Sequence, residues 1–243
     1  MSFNGYCSTA DLLSESQVTY KDFAQSGFTS QSDPNFVTFL QNVILRAMAM
    51  IDDYCKVPSG FFLAGGTTIT EIVDITYGLH PGYYINTPTY YPYPYQLTAR
   101  LRNWPVISMQ HCYVNINGYG QPPSWLEIDG DDDLGNHFPA GDTNPQKCFL
   151  QTVQGRIVLV NAVSARYYQG LKATYQAGYA ATPNSVWDVC IKLATNMLHV
   201  IIQKVLAPII KVDDWVVKMV IPDVFTPELK KELTQYHRAM FLT

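Results

Sequence analysis

"TYQAGYAATPNSVWDVC", residues 174–190, is the stretch whose reading decides the fold. It opens as a strand and ends as a helix. Gly178 permits a sharp turn, Thr182 before Pro183 is pushed out of helical geometry, and Ser185 with Asp188 three residues on reads as a capping box. Val186, Val189, Cys190, Leu193, Ala194, Met197, Leu198, Ile201, Ile202 and Val205 then recur at helical spacing. Tyr179 reads as a cover for the corner, a packing role rather than a catalytic one.

A helix over 185–206 with so wide an apolar stripe cannot bury it alone. Its partner by pattern is 33–55: Asp33 as N-cap, Pro34 in the first turn, then Phe36, Phe39, Leu40, Val43, Ile44, Ala47, Met48, Ile51, Tyr54 and Cys55. At 1.5 Å per residue this helix is roughly 34 Å long. Upstream, residues 8–13 read as a short capped helix, and 14–32 as a polar loop with one further helical turn.

The middle of the chain has a different character. Thr67–Thr76, Val106–Asn117, Trp125–Asp129, Arg156–Asn161 and Leu171–Gln176 read as strands separated by turn signals. The expected fold class is therefore α+β. A helical bundle of N- and C-terminal helices (1–57 and 177–206) surrounds an inserted β-rich domain (58–176), and an extended C-terminal segment (207–243) follows. In that segment Pro208 and Pro222 prevent simple continuation of the preceding helix. A last helix, capped by Thr226, is expected from Pro227 to Phe241.

Composition narrows the function. Only 15% of the 243 residues are charged and the formal net charge is -4, so a surface that grips nucleic acid through clustered Lys and Arg is not expected. A polar but weakly charged surface suits lasting contact with other chains. The five cysteines are odd in number and widely spaced, which points to free thiols in a reducing compartment. The N-terminus lacks a signal-peptide pattern. The apolar run 197–212, interrupted by His199, Gln203, Lys204 and Pro208, reads as too short and polar for a membrane span.

Motifs for chemistry are scarce. Asp129-Gly130-Asp131-Asp132-Asp133 begins like a calcium loop, but Leu134 and Ala140 stand where Gly and Glu are needed. A solvated turn is the simpler reading, with a fortuitous cation site as the alternative. His111 and Cys112 are adjacent, so on a strand they face opposite ways and do not share a metal. His199 reads as a partly buried structural residue. There is no CxxC, HExxH, GxSxG, P-loop or dinucleotide fingerprint. No catalytic residue, metal or cofactor is expected, and the chain does not read as an enzyme.

Two segments read as contact surfaces. Residues 77–95 (YGLHPGYYINTPTYYPYPY) hold seven of the seventeen tyrosines and four of the fifteen prolines. Tyr83, Tyr84, Tyr90, Tyr91, Tyr93 and Tyr95 are candidates for contact with a neighbouring subunit or a tail protein; a hairpin tip packed on its own domain and a sugar-stacking platform are the alternatives. Beyond residue 207, Trp215, Val217, Ile221, Leu229, Leu233, Tyr236 and Met240 are candidates for docking on another protein. The alternative there is that the segment folds back on its own subunit.

Three stretches together, YCSTADL near the start, AMAMIDDYCKV at the end of the 33–55 helix, and ATYQAGYAATPNSVWDVCIKLA, resemble the head–tail connector, or adaptor, proteins of tailed bacteriophages. The likeness covers 1–57 and 156–206 best and does not reach the Tyr/Pro-rich arm. It implies a structural virion protein in the neck, assembled in the host cytoplasm. Such a protein forms a ring of about twelve copies between the portal protein and the tail or tail-completion protein. Genomic DNA would pass through the lumen without specific binding, and no membrane would be involved. The connectors reach their portal through C-terminal residues, hence the docking candidates above. Another neck or tail completion protein, or a carbohydrate-binding tail component, is the alternative.

Overall fold

The computed structural model describes residues 3–79, 95–138, 147–160, 168–206, 211–212, 215–216 and 223–237. The chain divides into two compact units. One is Met1–Ala64 with Ala181–Thr243, the other Gly65–Ala180.

The first unit is helical. Helix α1 (Thr9–Ser16) is opened by a capping box between Ser8 and Asp11, the arrangement expected from the sequence. It stops where Gln17 turns left-handed at φ 54°. A 3-10 turn (Tyr20–Ser26) follows. Helix α2 (Pro34–Cys55) begins as predicted, with Asp33 accepting from the Asn35 N–H and Pro34 in the first turn. Helix α3 (Asn184–Leu206) packs against α2. Phe36, Leu40, Ile44, Ala47 and Ile51 of α2 are fully buried, as are Val186, Val189, Leu193, Ala194 and Leu198 of α3. Phe23, Phe28, Phe36 and Phe39 close one end with ring centroids 5.1–6.4 Å apart. Ser185 lies inside α3 rather than capping it. Its hydroxyl meets Tyr236, and Asp188 pairs with Lys192.

The second unit is built of two sheets. Strands β1 (Thr67–Val73), β4 (Val106–Asn115), β5 (Trp125–Glu127) and β10 (Leu171–Ala177) form an antiparallel sheet in the order β1-β10-β4-β5. Strands β2 (Ile75–Leu79), β3 (Tyr95–Arg100), β6 (Asp129–Asp132), β7 (His137–Phe138), β8 (Lys147–Gln151) and β9 (Arg156–Val160) form the other, in the order β2-β3-β9-β8-β6-β7. Among the described residues only β6 and β8 run parallel. The stretch 67–76, expected as one strand, is split at Asp74. The chain crosses there from one sheet to the other, and the Asp74 carboxylate accepts from the Gln169 N–H at 2.7 Å. Alternating positions of β10 and β4 point inward, including Leu171, Ala173, Tyr175, Ala177, Cys112 and Val114. They form a core with Cys148, Leu150, Ile157 and Leu159 of the other sheet, where the Cys148 thiol meets Cys112.

The expected helical bundle is corrected. The chain is a mixed α+β protein whose ten strands in two sheets dominate. Among the described residues there are four α-helices, and α1 and the C-terminal α4 (Pro227–Glu232) have only eight and six residues. α2 and α3 form a pair, but among the described residues there is no bundle of N- and C-terminal helices. The physical cause lies at the ends. Gln17 breaks α1, Phe23 departs from helical geometry at φ -112° and ψ 35°, and α4 gives way to a 3-10 turn (Thr234–Tyr236) rather than running on to residue 241. Two-residue strands β11 (Lys211–Val212) and β12 (Trp215–Val216) pair within the C-terminal segment.

By length and composition alone, Asn184–Ile202 of α3 is long and apolar enough to cross a membrane, a stretch other than the 197–212 run judged from sequence. Its fully buried Val186, Val189, Leu193 and Leu198 are what a core helix requires.

Candidate functional site

The second unit enters and leaves through neighbouring strands. Thr67 of β1 lies opposite Ala177 of β10. Gly66 sits beside that pair at φ +66°, where an added Cβ would stand 2.2 Å from the Ala177 carbonyl oxygen. A side chain is therefore excluded both by conformation and by space. The Gly178 N–H donates to the Pro105 carbonyl at 3.0 Å, and the Gly65 N–H donates to the Tyr179 carbonyl at 3.0 Å. The Ala-Gly-Tyr corner is thus tied down by backbone bonds just before the chain passes into the helical unit. Tyr175, two residues before that corner, is buried, and its hydroxyl donates to Glu71 at 2.5 Å. Burial, reinforced by the Glu71 charge, pushes the Tyr175 phenol well above its usual range. Glu71 also accepts from the Arg102 N–H at 2.8 Å.

The residues of the other quoted stretches meet in the core of the helical unit. Tyr6, 2% exposed, donates its hydroxyl to Asp52 of α2, and Asp52 also accepts from the Gly60 N–H at 2.9 Å. The Phe62 N–H in turn donates to the Tyr6 hydroxyl at 3.3 Å. Burial raises the Asp52 carboxyl, and the bonds from Tyr6 and Gly60 only partly oppose it. Burial likewise raises the Tyr6 phenol, helped by the Asp52 charge. The next residue, Cys7, places its sulfur 3.7 Å from that of Cys190 on α3. Asp11 lies near the Trp187 side chain, and hydrogen bonds from Ser8 hold its carboxyl below the usual range.

Of the predicted docking residues, Leu229 and Leu233 are 5% and 0% exposed and lie in the core of their own unit. Tyr236 is half-buried in the same fold. Its hydroxyl lies 2.8 Å from Ser185 Oγ, and its ring packs edge-on against Phe62 at 5.4 Å. Phe225 packs on Tyr54, Asn196 donates to the Val224 carbonyl at 3.1 Å, and Lys192 lies 2.5 Å from Asp188 and 3.5 Å from Glu232. Residues 223–237 therefore fold back on their own unit, the alternative noted from sequence. Trp215 lies in β12, while Val217, Ile221 and Met240 lie outside the described residues.

Of the arm, Tyr83, Tyr84, Tyr90, Tyr91 and Tyr93 also lie outside the described residues. Tyr95 begins β3, opposite Leu79 of β2. The Tyr/Pro-rich stretch therefore connects two antiparallel neighbours at the edge of the six-stranded sheet.

The acidic run is not the solvated turn expected. Residues 129–132 are strand β6, and Asp132 is 4% exposed. Its carboxylate accepts from the Leu134 and Asn136 N–H groups at 2.9 and 2.8 Å and from Asn136 Nδ2 at 2.9 Å. Asp133 accepts from the Thr152 N–H and hydroxyl. Asp129 and Asp131 flank His137 at 3.0 and 2.9 Å. The bond to Asp131, with the charges of both aspartates, raises the His137 pKa above its ordinary value. These carboxylates terminate turns and hold a histidine. Among the described residues no group of three or more His, Cys, Asp or Glu side chains is placed to hold a metal ion. His111 is exposed and bonded to Glu127 at 2.7 Å, while its neighbour Cys112 is buried, the opposite-face arrangement expected of a strand. His199 is exposed, not partly buried as expected.

Sequence reasoning missed the Tyr6–Asp52 pair and the Cys7–Cys190 contact. A signal for the first was present: Asp52 falls four residues after Met48 and one after Ile51, on the apolar stripe of α2, where an acid needs a donor. No protein-family model matches the chain, and no curated protein matches it.

Proposed function

We propose that this chain is a structural subunit of the neck of a tailed bacteriophage, one copy in a ring adaptor between portal and tail. The ring extends the DNA channel and gives the tail its docking surface. One observation carries the reading. The three stretches that resemble connector proteins are far apart in sequence, yet their residues join one core: Tyr6 with Asp52, and Cys7 with Cys190. Chance similarity of apolar spacing does not require such residues to meet.

The Ala-Gly-Tyr corner then serves as a structural joint from which the inserted β unit is suspended. Self-association and tail contact fall to the Tyr/Pro-rich connection between β2 and β3, since tyrosine gives large contact area at small entropic cost. Portal docking falls to the apolar stretch 207–222 rather than to Leu229 or Leu233, which are occupied internally. The weak negative charge of the subunit, -4, suits a channel through which DNA slides without adhering.

The test is electron microscopy of portal rings from the same phage incubated with the purified chain, together with mass analysis of purified virion necks. Added ring density on the portal, lost when residues 82–94 or 207–222 are replaced by a Gly/Ser linker, is the expected result. Absence of this chain from virion necks, with no portal binding, overturns the reading.

A further inference from the structure

All five cysteines are buried and none forms a disulfide. Cys7 and Cys190 lie with sulfurs 3.7 Å apart; Cys148 meets Cys112 between the two sheets. A reading based only on packing accounts for one buried cysteine at a time, since the thiol behaves as a small hydrophobe. It gives no reason for two sulfur–sulfur contacts among five residues.

The Cys7–Cys190 pair has a further property. Cys7 lies on the non-helical segment before α1, whereas Cys190 lies within the core helix α3. Irregular segments open locally at lower free-energy cost than core helices. Local opening of this segment brings Cys7 to solvent without global unfolding, and on returning it meets Cys190 again.

We propose that Cys7 and Cys190 form an oxidation-driven staple: a small-molecule disulfide converts the thiol pair into a cross-link that fastens the N-terminal segment to α3. In the open state the Cys7 thiolate attacks the reagent RSSR and expels one RS⁻, giving a mixed disulfide. The Cys190 thiolate then attacks the Cys7 sulfur and expels the second RS⁻. The two protons released by the cysteines go to the two leaving thiolates. The protein loses two electrons, and the reagent is reduced to two RSH. In the closed state both sulfurs are buried, at 4% and 0% exposure. The hydrogen bond with Cys7, reinforced by burial, raises the Cys190 thiol well above its usual value, so reaction runs through the opened segment. The link joins residues 183 positions apart. A loop that long removes much freedom from the unfolded chain, and the closed form is expected to melt roughly 5–15 °C higher. The staple does not depend on the adaptor function.

The experiment treats the purified full chain with oxidised glutathione under native conditions, with acid-quenched samples alkylated and mapped without reduction. Alkylatable thiols should fall from five to three, a Cys7–Cys190 linked peptide should appear before any Cys112–Cys148 peptide, and dithiothreitol should reverse both the link and the rise in Tm. Cys7→Ala and Cys190→Ala should each abolish the link and the rise; two variants guard against one failing to fold. The proposal is overturned if Cys7 carries glutathione without cross-linking, if neither thiol reacts under conditions that oxidise the unfolded chain, if Cys112–Cys148 closes first, or if the linked chain melts no higher.

Discussion

Replacing Tyr6 by Phe tests whether the N-terminal segment is a structural member of the helical unit. The change deletes one oxygen and leaves the ring, which packs edge-on against Phe62 at 5.8 Å. It removes the hydroxyl that donates to Asp52 and accepts from the Phe62 N–H. A buried side-chain hydrogen bond contributes about 0.5–1.5 kcal/mol, and leaving the Phe62 N–H without that acceptor adds about 1–3 kcal/mol. Tyr6→Phe should therefore cost about 2–4 kcal/mol. Asp52→Ala leaves both the Tyr6 hydroxyl and the Gly60 N–H without their acceptor and should cost about 3–5 kcal/mol.

The two changes share one interaction, so the double variant should be less destabilised than the sum by about 1–3 kcal/mol. The assay is urea unfolding of the four proteins followed by tryptophan fluorescence, with equal slopes required for comparison. Additivity within about 0.5 kcal/mol would refute the coupling. The pH dependence has a definite sign. Burial raises the Asp52 carboxyl in the folded state, so its share of stability is fully present below the unfolded value near 4. That share is lost as pH rises through the folded value. The difference in stability between wild type and Asp52→Ala should accordingly be larger at acid than at alkaline pH.

Gly66→Ala forces a side chain onto a residue at φ +66° and against the Ala177 carbonyl; a loss of roughly 2–4 kcal/mol is expected in chemical unfolding, and a loss below about 0.5 kcal/mol would show that β1 and β10 shift freely there. His137, raised by Asp131 and Asp129, contributes stability below an unfolded value near 6.5 and loses it as pH climbs through the folded value. The Tm gap between wild type and His137→Gln should therefore shrink between neutral and alkaline pH, and a gap that widens contradicts the pairing. Truncation after Leu206 removes Phe225, Leu229 and Leu233 from the core, each contributing about 1.5–3 kcal/mol; a truncated chain with an unchanged urea midpoint would show that this segment is not part of the fold.

The parts of the fold that sequence made legible are those where a local cause acts alone. Ser8 with Asp11, and Asp33 with Pro34, mark helix starts because capping needs only residues within one turn. The α2–α3 pair was readable because each helix carries a stripe too wide to leave uncovered. Where a distant partner decided the outcome, local reading failed. Ser185 looks like a cap, yet its hydroxyl is taken by Tyr236 fifty-one residues away, and α3 begins one residue earlier. Asp129–Asp132 looks like a turn because β-propensity disfavours aspartate. The parallel ladder to β8 and the donors around Asp132 outweigh that preference. β3 and β8 escaped notice for the same reason: Tyr95–Arg100 and Lys147–Gln151 are unremarkable alone and become strands through β9 between them.

The same division between local and distant causes bears on the candidate site. Tyr6, Cys7, Asp52 and Cys190 each look ordinary within ten residues of sequence. Only a fold that returns the chain to the N-terminal segment after the 116-residue excursion of the β unit, Gly65–Ala180, gives them their partners. That excursion begins and ends on paired strands, with Thr67 opposite Ala177. The β unit can therefore be long without separating the two halves of the helical unit. Its entry and exit points are fixed by hydrogen bonds rather than by the intervening loops. An insertion of this kind can change in length and surface while the joint stays constant. The joint rests on Gly66, where a side chain is excluded by conformation and by space, and not on the length of the β2–β3 connection.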